Sequence, residues 1–555
     1  MLRANRIPGK YMGPIIDRQW KRWTAVAGAM LLASCGDSGG SNAGVPDPIL
    51  QIMHKSNYQS STWSMRVIDL DSGKLIYDLN PDAQLLIGSV RKLFSVGSAL
   101  IQLGAQYQFV TPVYRQGAVD ASGILNGNLV LVASGDLTMG GRDNPDGTIA
   151  ISTFDHNEAN SLRNAILTTP DPLAGYNALA QQVAAAGIRT INGDVVIDDR
   201  LFEPFDFRSE FKVRPIFVND DVIDVTLNPS AAGTVMPFDW RPKSAAFSVQ
   251  STLSTGSAAS DLEIKLEPAP PTCFGTPGCA GEISGNVPAD YVPALTKSWP
   301  VIRTFRVTDP SSYARTVFIE ALARAGVKVT ATPVASNPVQ LLPAKGSYSS
   351  STQVAQLTSQ SYAQIARYVM KVSYNIGADT SLMLYGLAAS GATTMTGALA
   401  AEQAELSSTF GIAPSQYHFV DGSGGDDTTA TSSAVISLLK GMSTQSVFSS
   451  YRDSLPTLGV DGTLANTTNF ESDSTLAGAR GQVHAKTGTF VGADASAPSG
   501  MILKGHSLAG YIDTKSGHRL AFVVTVNNVP MSSLDDVISV FQDEGTISAQ
   551  LWNLQ

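Results

Sequence analysis

The strongest constraint on this chain is that fold-like patterns at its two ends are separated by a long stretch of different character. Residues 63–79, TWSMRVIDLDSGKLIYD, read as two strands around an Asp-Ser-Gly turn. The segment that follows, GSVRKLFSVGSALIQLG from residue 88, carries apolar residues on more than one helical face, which predicts a buried helix starting at Ser89. From about 115 to 345 the pattern becomes short strand-like pieces (GNLVLVAS, GDVVIDD, DVIDVTL, DLEIKLEP) between Pro/Gly-rich loops. Helical periodicity returns in SYAQIARYVMKVSYNIGADTSLMLYGLAAS. The C-terminus then offers three strands, GQVHAKTGTF, SLAGYIDT and RLAFVVTVNN, and a last helix, DDVISVFQDEGTISAQLW. Three consecutive antiparallel strands capped by a helix fit this ending, and the middle stretch reads as an insertion. No internal repeat is visible.

A chain of 555 residues needs more than one core. With 43% hydrophobic and 15% charged residues it has the composition of a globular, loop-rich protein. The net charge of -9, with no basic run to neutralise phosphates, argues against nucleic-acid partners and polyanionic substrates.

At the N-terminus, Arg18, Lys21 and Arg22 precede TAVAGAMLLASC, an apolar segment too short to span a membrane. Residues 1–35 therefore read as a signal peptide, and 36–48, GDSGGSNAGVPDP, as a flexible linker. Met12 serves equally well as a start. Leu32-Ala33-Ser34-Cys35 resembles a bacterial lipobox, which implies cleavage before Cys35, lipidation of its thiol and a lipid anchor on an exported protein. A plain secretory signal is the alternative. Export suits the other two cysteines, Cys273 and Cys279 in PTCFGTPGCAG, which are expected to pair in an oxidising compartment; two free thiols are the alternative. A zinc site lacks further ligands and no HExxH occurs, so no metal or cofactor is expected.

Three polar clusters carry the chemistry. A serine becomes a nucleophile when a base takes its proton, and a buried lysine with a lowered pKa is such a base. Ser89 and Lys92, at i and i+3, share a helix face, and the helix start favours negative charge near Ser89. S-x-x-K also occurs at Ser209–Lys212, between loop segments, and at Ser437–Lys440, inside a helix, so spacing alone does not choose among them. The second cluster is Ser373-Tyr374-Asn375, with SGN at 284–286 as a competitor in a Gly/Pro loop. The third is Lys486-Thr487-Gly488-Thr489 on a strand, whose competitor KSG at 515–517 has an ordinary turn explanation. A strand bearing Lys-Thr-Gly presents a cation, hydroxyls and an open backbone edge able to bind an extended peptide with a C-terminal carboxylate.

The ordered triplet SxxK, SxN, KTG resembles the penicillin-recognising serine enzymes. The long separation of Lys92 from Ser373 resembles the class C low-molecular-mass penicillin-binding proteins, the D-alanyl-D-alanine carboxypeptidase/endopeptidase family. GNLVLVASGDLTM, INGDVVIDDRLF, VDGSGG, LPTLGVDGTL and VHAKTGTF carry the likeness from about residue 45 onward. Tyr374 stands where Asp or Asn is frequent, DDTTA replaces a basic stretch after VDGSGG, GVDGTL lacks the arginines that usually follow it, and the segment after KTGT is longer. The resemblance implies an α/β (α+β) fold: a transpeptidase/β-lactamase-like domain with a five-stranded antiparallel sheet flanked by helices, built from 49–114 and 346–555. Two inserted, mainly β domains would occupy 115–345.

It also implies residue roles. Ser89 attacks the carbonyl of the penultimate D-Ala, Lys92 takes its proton, and Ser373 relays a proton to the departing D-Ala. Asn375 holds the substrate amide, Lys486 keeps Lys92 neutral, Thr487 and Thr489 hold the terminal carboxylate, and Gly488 joins them in binding substrate. Backbone N–H groups of Ser89 and Thr489 form the oxyanion hole, and the GDVVIDDRLFEPF segment is a candidate for contacting the stem-peptide side chain. The substrates and partners are peptidoglycan stem peptides and β-lactams. A β-lactamase or esterase, or a non-catalytic β-lactam sensor, are the alternatives. His484 receives no role, and Gly422, Gly424 and Gly462 read as backbone turns.

Overall fold

A computed structural model describes residues 44–425, 427–494 and 500–555. Cys35, the signal segment and most of the linker lie outside the described residues. The expected N-terminal hairpin is formed by Thr62–Asp69 and Leu75–Leu79, paired antiparallel. The three C-terminal strands, Val483–Ala493, Met501–Asp513 and Arg519–Pro530, join it in one five-stranded sheet. From one edge to the other the order is 75–79, 62–69, 519–530, 501–513 and 483–493, every pair antiparallel. The Lys486 strand therefore forms an edge of the sheet.

Both faces of this sheet are covered, which explains the nearly unbroken apolar runs in its central strands. Side chains alternate with period two. Leu508, Ile512, Phe522, Val524 and Val526 pack into one core with Ile547 and Leu551 of the helix Leu534–Leu554. Ala509, Tyr511, Ala521 and Val523 face the other core, with the helices Lys92–Leu103, Tyr362–Lys371 and Ser432–Met442. The helix Lys92–Leu103 has Leu93, Phe94, Val96, Ala99 and Leu100 fully buried, so it carries apolar residues on more than one face because it runs through that core.

The interrupting stretch leaves along the strand Gln108–Val119 and returns along Gln353–Ser361, and these two pair antiparallel in a six-stranded sheet. GNLVLVAS supplies most of Ile124–Val132, and GDVVIDD supplies Val195–Asp198, parallel to it. Two helices, Ala174–Ala185 and Pro310–Arg324, pack with these strands in a separate core. DVIDVTL forms Val222–Leu227 in a three-stranded sheet, and DLEIKLEP contributes Glu263–Glu267 to a four-stranded one. Cys273 and Cys279 are joined in a disulfide, their Cα atoms 5.3 Å apart. Among the described residues no helix is long and apolar enough to cross a membrane.

Candidate active site

Ser89 lies in a 3-10 turn, Gly88–Arg91, and the α-helix proper begins at Lys92, three residues later than the periodicity suggests. The cause is crowding. Gly88 has φ +48°, and Gly488 packs so closely that a Cβ on it would lie 2.0 Å from the Ile87 carbonyl oxygen. The glycine of the KTG strand thus lets the nucleophile turn lie directly against it.

Lys92 is wholly buried, and its Nζ lies 2.6 Å from Ser89 Oγ, 2.6 Å from Asn375 Oδ1 and 2.9 Å from the Ser423 carbonyl oxygen. A neutral amine has two hydrogens and one lone pair. Donating to Asn375 and Ser423 leaves the lone pair directed at the Ser89 hydroxyl, the arrangement a general base requires. Burial brings the Lys92 pKa down from the ordinary lysine range to about 7; the Asp379 carboxylate opposes the fall and the Arg208 guanidinium adds to it.

Lys486 is also wholly buried, on the strand Val483–Ala493. Its Nζ donates to Ser373 Oγ at 2.9 Å and to the Thr487 carbonyl at 2.8 Å. Burial first, and the charge of Lys92 second, hold it well below the ordinary lysine range. Ser373 has φ +62°, a left-handed conformation unusual for serine, at the break between the helices Tyr362–Lys371 and Asn375–Ser390. Its neighbour Tyr374, the departure from the family pattern, is buried and donates to the Asp220 carbonyl at 3.3 Å, so it wedges this break against the interrupting region.

The loops VDGSGG and LPTLGVDGTL act as supports. Asp421 of VDGSGG accepts from Ser423 N (3.0 Å), Gly424 N (2.7 Å) and Gly425 N (3.0 Å), folding the loop that offers the Ser423 carbonyl to Lys92. Asp379, one turn beyond Asn375, accepts from Gly422 N at 2.9 Å; burial, then Asp421, raises its pKa. In LPTLGVDGTL, Asp461 accepts from Lys371 Nζ at 2.6 and 2.7 Å, and Thr463 Oγ1 lies 2.8 Å from Thr487 Oγ1. That loop joins the helix end before Ser373 to the Lys486 strand. His484 is half-buried behind it, and burial, Arg452 and Lys371 lower its pKa to about 4, so it is neutral.

Ser89, Lys92, Ser373, Asn375 and Lys486 therefore converge, with Thr487, Gly488 and Thr489 alongside. The competing matches lie elsewhere. Ser209 sits in the turn between Phe205–Phe207 and Phe211–Val213, with Lys212 salt-bridged to Asp206; Ser437 and Lys440 belong to Ser432–Met442. Ser284–Asn286 lies within the strand Ala280–Val287 rather than in a loop, and Lys515 is in a hairpin turn. The sequence reading missed Glu158, whose Oε1 accepts from Asn375 Nδ2 at 2.9 Å, as well as Asp379 and the Ser423 carbonyl. Glu158 in TFDHNEAN carries no spacing that would single it out.

The family model of the D-Ala-D-Ala carboxypeptidase 3 (S13) family matches residues 48–542. A D-alanyl-D-alanine carboxypeptidase from Actinomadura sp. (strain R39) is 27% identical over 485 residues, which is 83% of this chain and 77% of the relative. Penicillin binding protein 4 (dacB) from Haemophilus influenzae superposes with a TM-score of 0.65 over 91% of this chain and 99% of that one, at 18% identity. Its complex with a novel β-lactam gives 0.62 at 19% identity, over 91% and 98%. Taken with a serine–lysine pair set against the edge of the five-stranded sheet, these matches show that the chain belongs to the D-Ala-D-Ala carboxypeptidase 3 (S13) family and is a serine-type D-Ala-D-Ala carboxypeptidase.

Proposed function

We propose that Ser89 is the nucleophile and Lys92 its base. The observation that carries this reading is the three-way hold on Lys92 Nζ, which leaves a neutral amine's lone pair facing Ser89 Oγ. Ser89 Oγ bonds to the acyl carbon of the penultimate D-Ala as its proton passes to Lys92. The oxyanion is held by the backbone N–H groups of Ser89 and Thr489, each donor worth about 2.7–4 kcal/mol in such sites. Collapse breaks the C–N bond. The proton on Lys92 reaches the departing D-Ala nitrogen through Ser373, whose Oγ is fixed by Lys486. Water then adds to the ester, gives up its proton to the same lysine, and releases Ser89 and the shortened peptide. Thr489 and the edge at Gly488 receive the terminal carboxylate, with Thr487 oriented by Thr463.

The substrates on this reading are peptidoglycan stem peptides, and β-lactams acylate the same serine. The N-terminal sequence supports export to the periplasm or cell envelope with a lipid anchor at Cys35, and a Cys273–Cys279 disulfide suits that compartment. The deciding experiment is labelling with a fluorescent penicillin alongside mass spectrometry of muropeptide products. Wild type is expected to form a lasting adduct and release D-Ala, and Ser89→Ala to do neither; an adduct persisting in Ser89→Ala would sink the assignment. Rapid penicillin turnover in place of a lasting adduct would favour a β-lactamase.

A further inference from the structure

The turn Asp155-His156-Asn157-Glu158, in the interrupting region, makes polar contacts through all four side chains. Asp155 takes two hydrogen bonds from Arg142, at 2.9 Å each. His156 places Nδ1 2.7 Å from Asp224 and Nε2 2.8 Å from Asp220. Burial alone would lower the His156 pKa, but the Asp224 and Asp155 carboxylates outweigh it and raise it to about 9; Arg142 Nη2 also lies 2.7 Å from Nε2. Asn157 Nδ2 donates to Asp155 Oδ1 and to the Tyr368 hydroxyl, both at 2.7 Å. The Arg142 guanidinium stacks over the Tyr368 ring, 4.2 Å from its centroid. Tyr368 belongs to the helix that ends just before Ser373. The first three residues of the turn therefore bolt it to the site, and the fourth, half-buried Glu158, meets Asn375.

An asparagine amide has two nearly isosteric orientations, and the correct one is set by its partners. Here Oδ1 accepts from Lys92, and one of the two Nδ2 hydrogens goes to Glu158. A flipped amide would turn its N–H groups on Lys92 and its oxygen on the Glu158 carboxylate, losing both bonds. With Oδ1 engaged by Lys92 and one hydrogen by Glu158, the second Nδ2 hydrogen is the donor left for a substrate carbonyl. We infer that Glu158 is a positioning residue for the acyl-transfer site, supplied by the interrupting region, which acts through Asn375 by fixing the amide that holds both Lys92 and the substrate. This rests on the reading of Ser89 and Lys92 given above.

The test compares wild type, Ser89→Ala, Glu158→Ala and Glu158→Gln in the full chain. The readouts are the second-order rate of acylation by fluorescent penicillin, kcat and KM for D-Ala release from a peptide ending in D-Ala-D-Ala, and the thermal unfolding midpoint. Glu158→Ala removes the acceptor and is expected to slow acylation about tenfold or more, equivalent to about 1.4 kcal/mol, with the loss in kcat as well as KM. Glu158→Gln keeps an acceptor oxygen and is expected to restore the rate to within about threefold of wild type, a rescue that a purely structural role would not give. Wild-type acylation by Glu158→Ala, or a loss in Glu158→Gln as deep as that in Glu158→Ala, would overturn the inference. Failure of the underlying reading looks different: wild type would then be unlabelled, or Ser89→Ala labelled.

Discussion

The protonation of Lys92 governs the rate at which Ser89 is acylated, so pH is the most direct perturbation of this site. Lys92 acts as a base only when neutral, and its pKa of about 7 places that switch inside the working range. A group of this pKa is about 0.9 neutral at pH 8 and about 0.01 neutral at pH 5, so the acylation rate constant should fall about 90-fold across that interval. The sign follows from the charge: acid protonates the amine, removes its lone pair from Ser89 and slows the reaction. Above pH 8 the rate should level off. A lysine at its ordinary value of 10.5 would instead give a rate still rising about tenfold per pH unit at pH 9. Stopped-flow acylation with a fluorescent penicillin between pH 5 and 9.5, at constant ionic strength, separates the two. A log-linear rise through pH 9 would refute a neutral Lys92. The charges bearing on the amine, Asp379, Asp421 and Glu158 on one side and Arg208 on the other, set the position of the limb.

Other predictions test the scaffold. Gly488→Ala would place a Cβ 2.0 Å from the Ile87 carbonyl oxygen and push the KTG strand off the nucleophile turn, so penicillin labelling should fall at least tenfold while circular dichroism stays native. Glu402→Ala strips Arg91, buried and paired through both Nη atoms at 2.7 and 2.5 Å, of its carboxylate; about 3–5 kcal/mol of stability should be lost in denaturant titration. Tyr374→Phe should cost no more than about 1.5 kcal/mol and keep most of the acylation rate, since only the 3.3 Å bond to Asp220 is lost. Tyr374→Asp, although it restores a residue frequent in the family, empties a buried aromatic site beside the Asp220 and Asp221 carboxylates and should cost about 3 kcal/mol or more.

The residue patterns themselves determined much of the local structure. The hairpin at 62–79, the three C-terminal strands with their closing helix, and the strands of the interruption follow from period-two and period-3.6 apolar spacing, and spacing is set by neighbours in the chain. The order of the three polar clusters was legible for the same reason. The place of Ser89 after a hairpin, at the head of a buried helix and upstream of SYN and KTGT, already set it apart from the other SxxK matches; only tertiary packing shows how it lies against KTG. That contact depends on the fit of Gly488 against the Ile87–Val90 backbone, between residues some 400 positions apart. Packing also decided that Tyr374 is a wedge, that a loop carbonyl at Ser423 holds Lys92, and that Glu158 reaches Asn375 from the interruption. A hydroxyl, a carbonyl or a single acid leaves no periodic trace in a sequence. Its function comes from the low-dielectric cavity and the few ångströms that the folded chain puts around it.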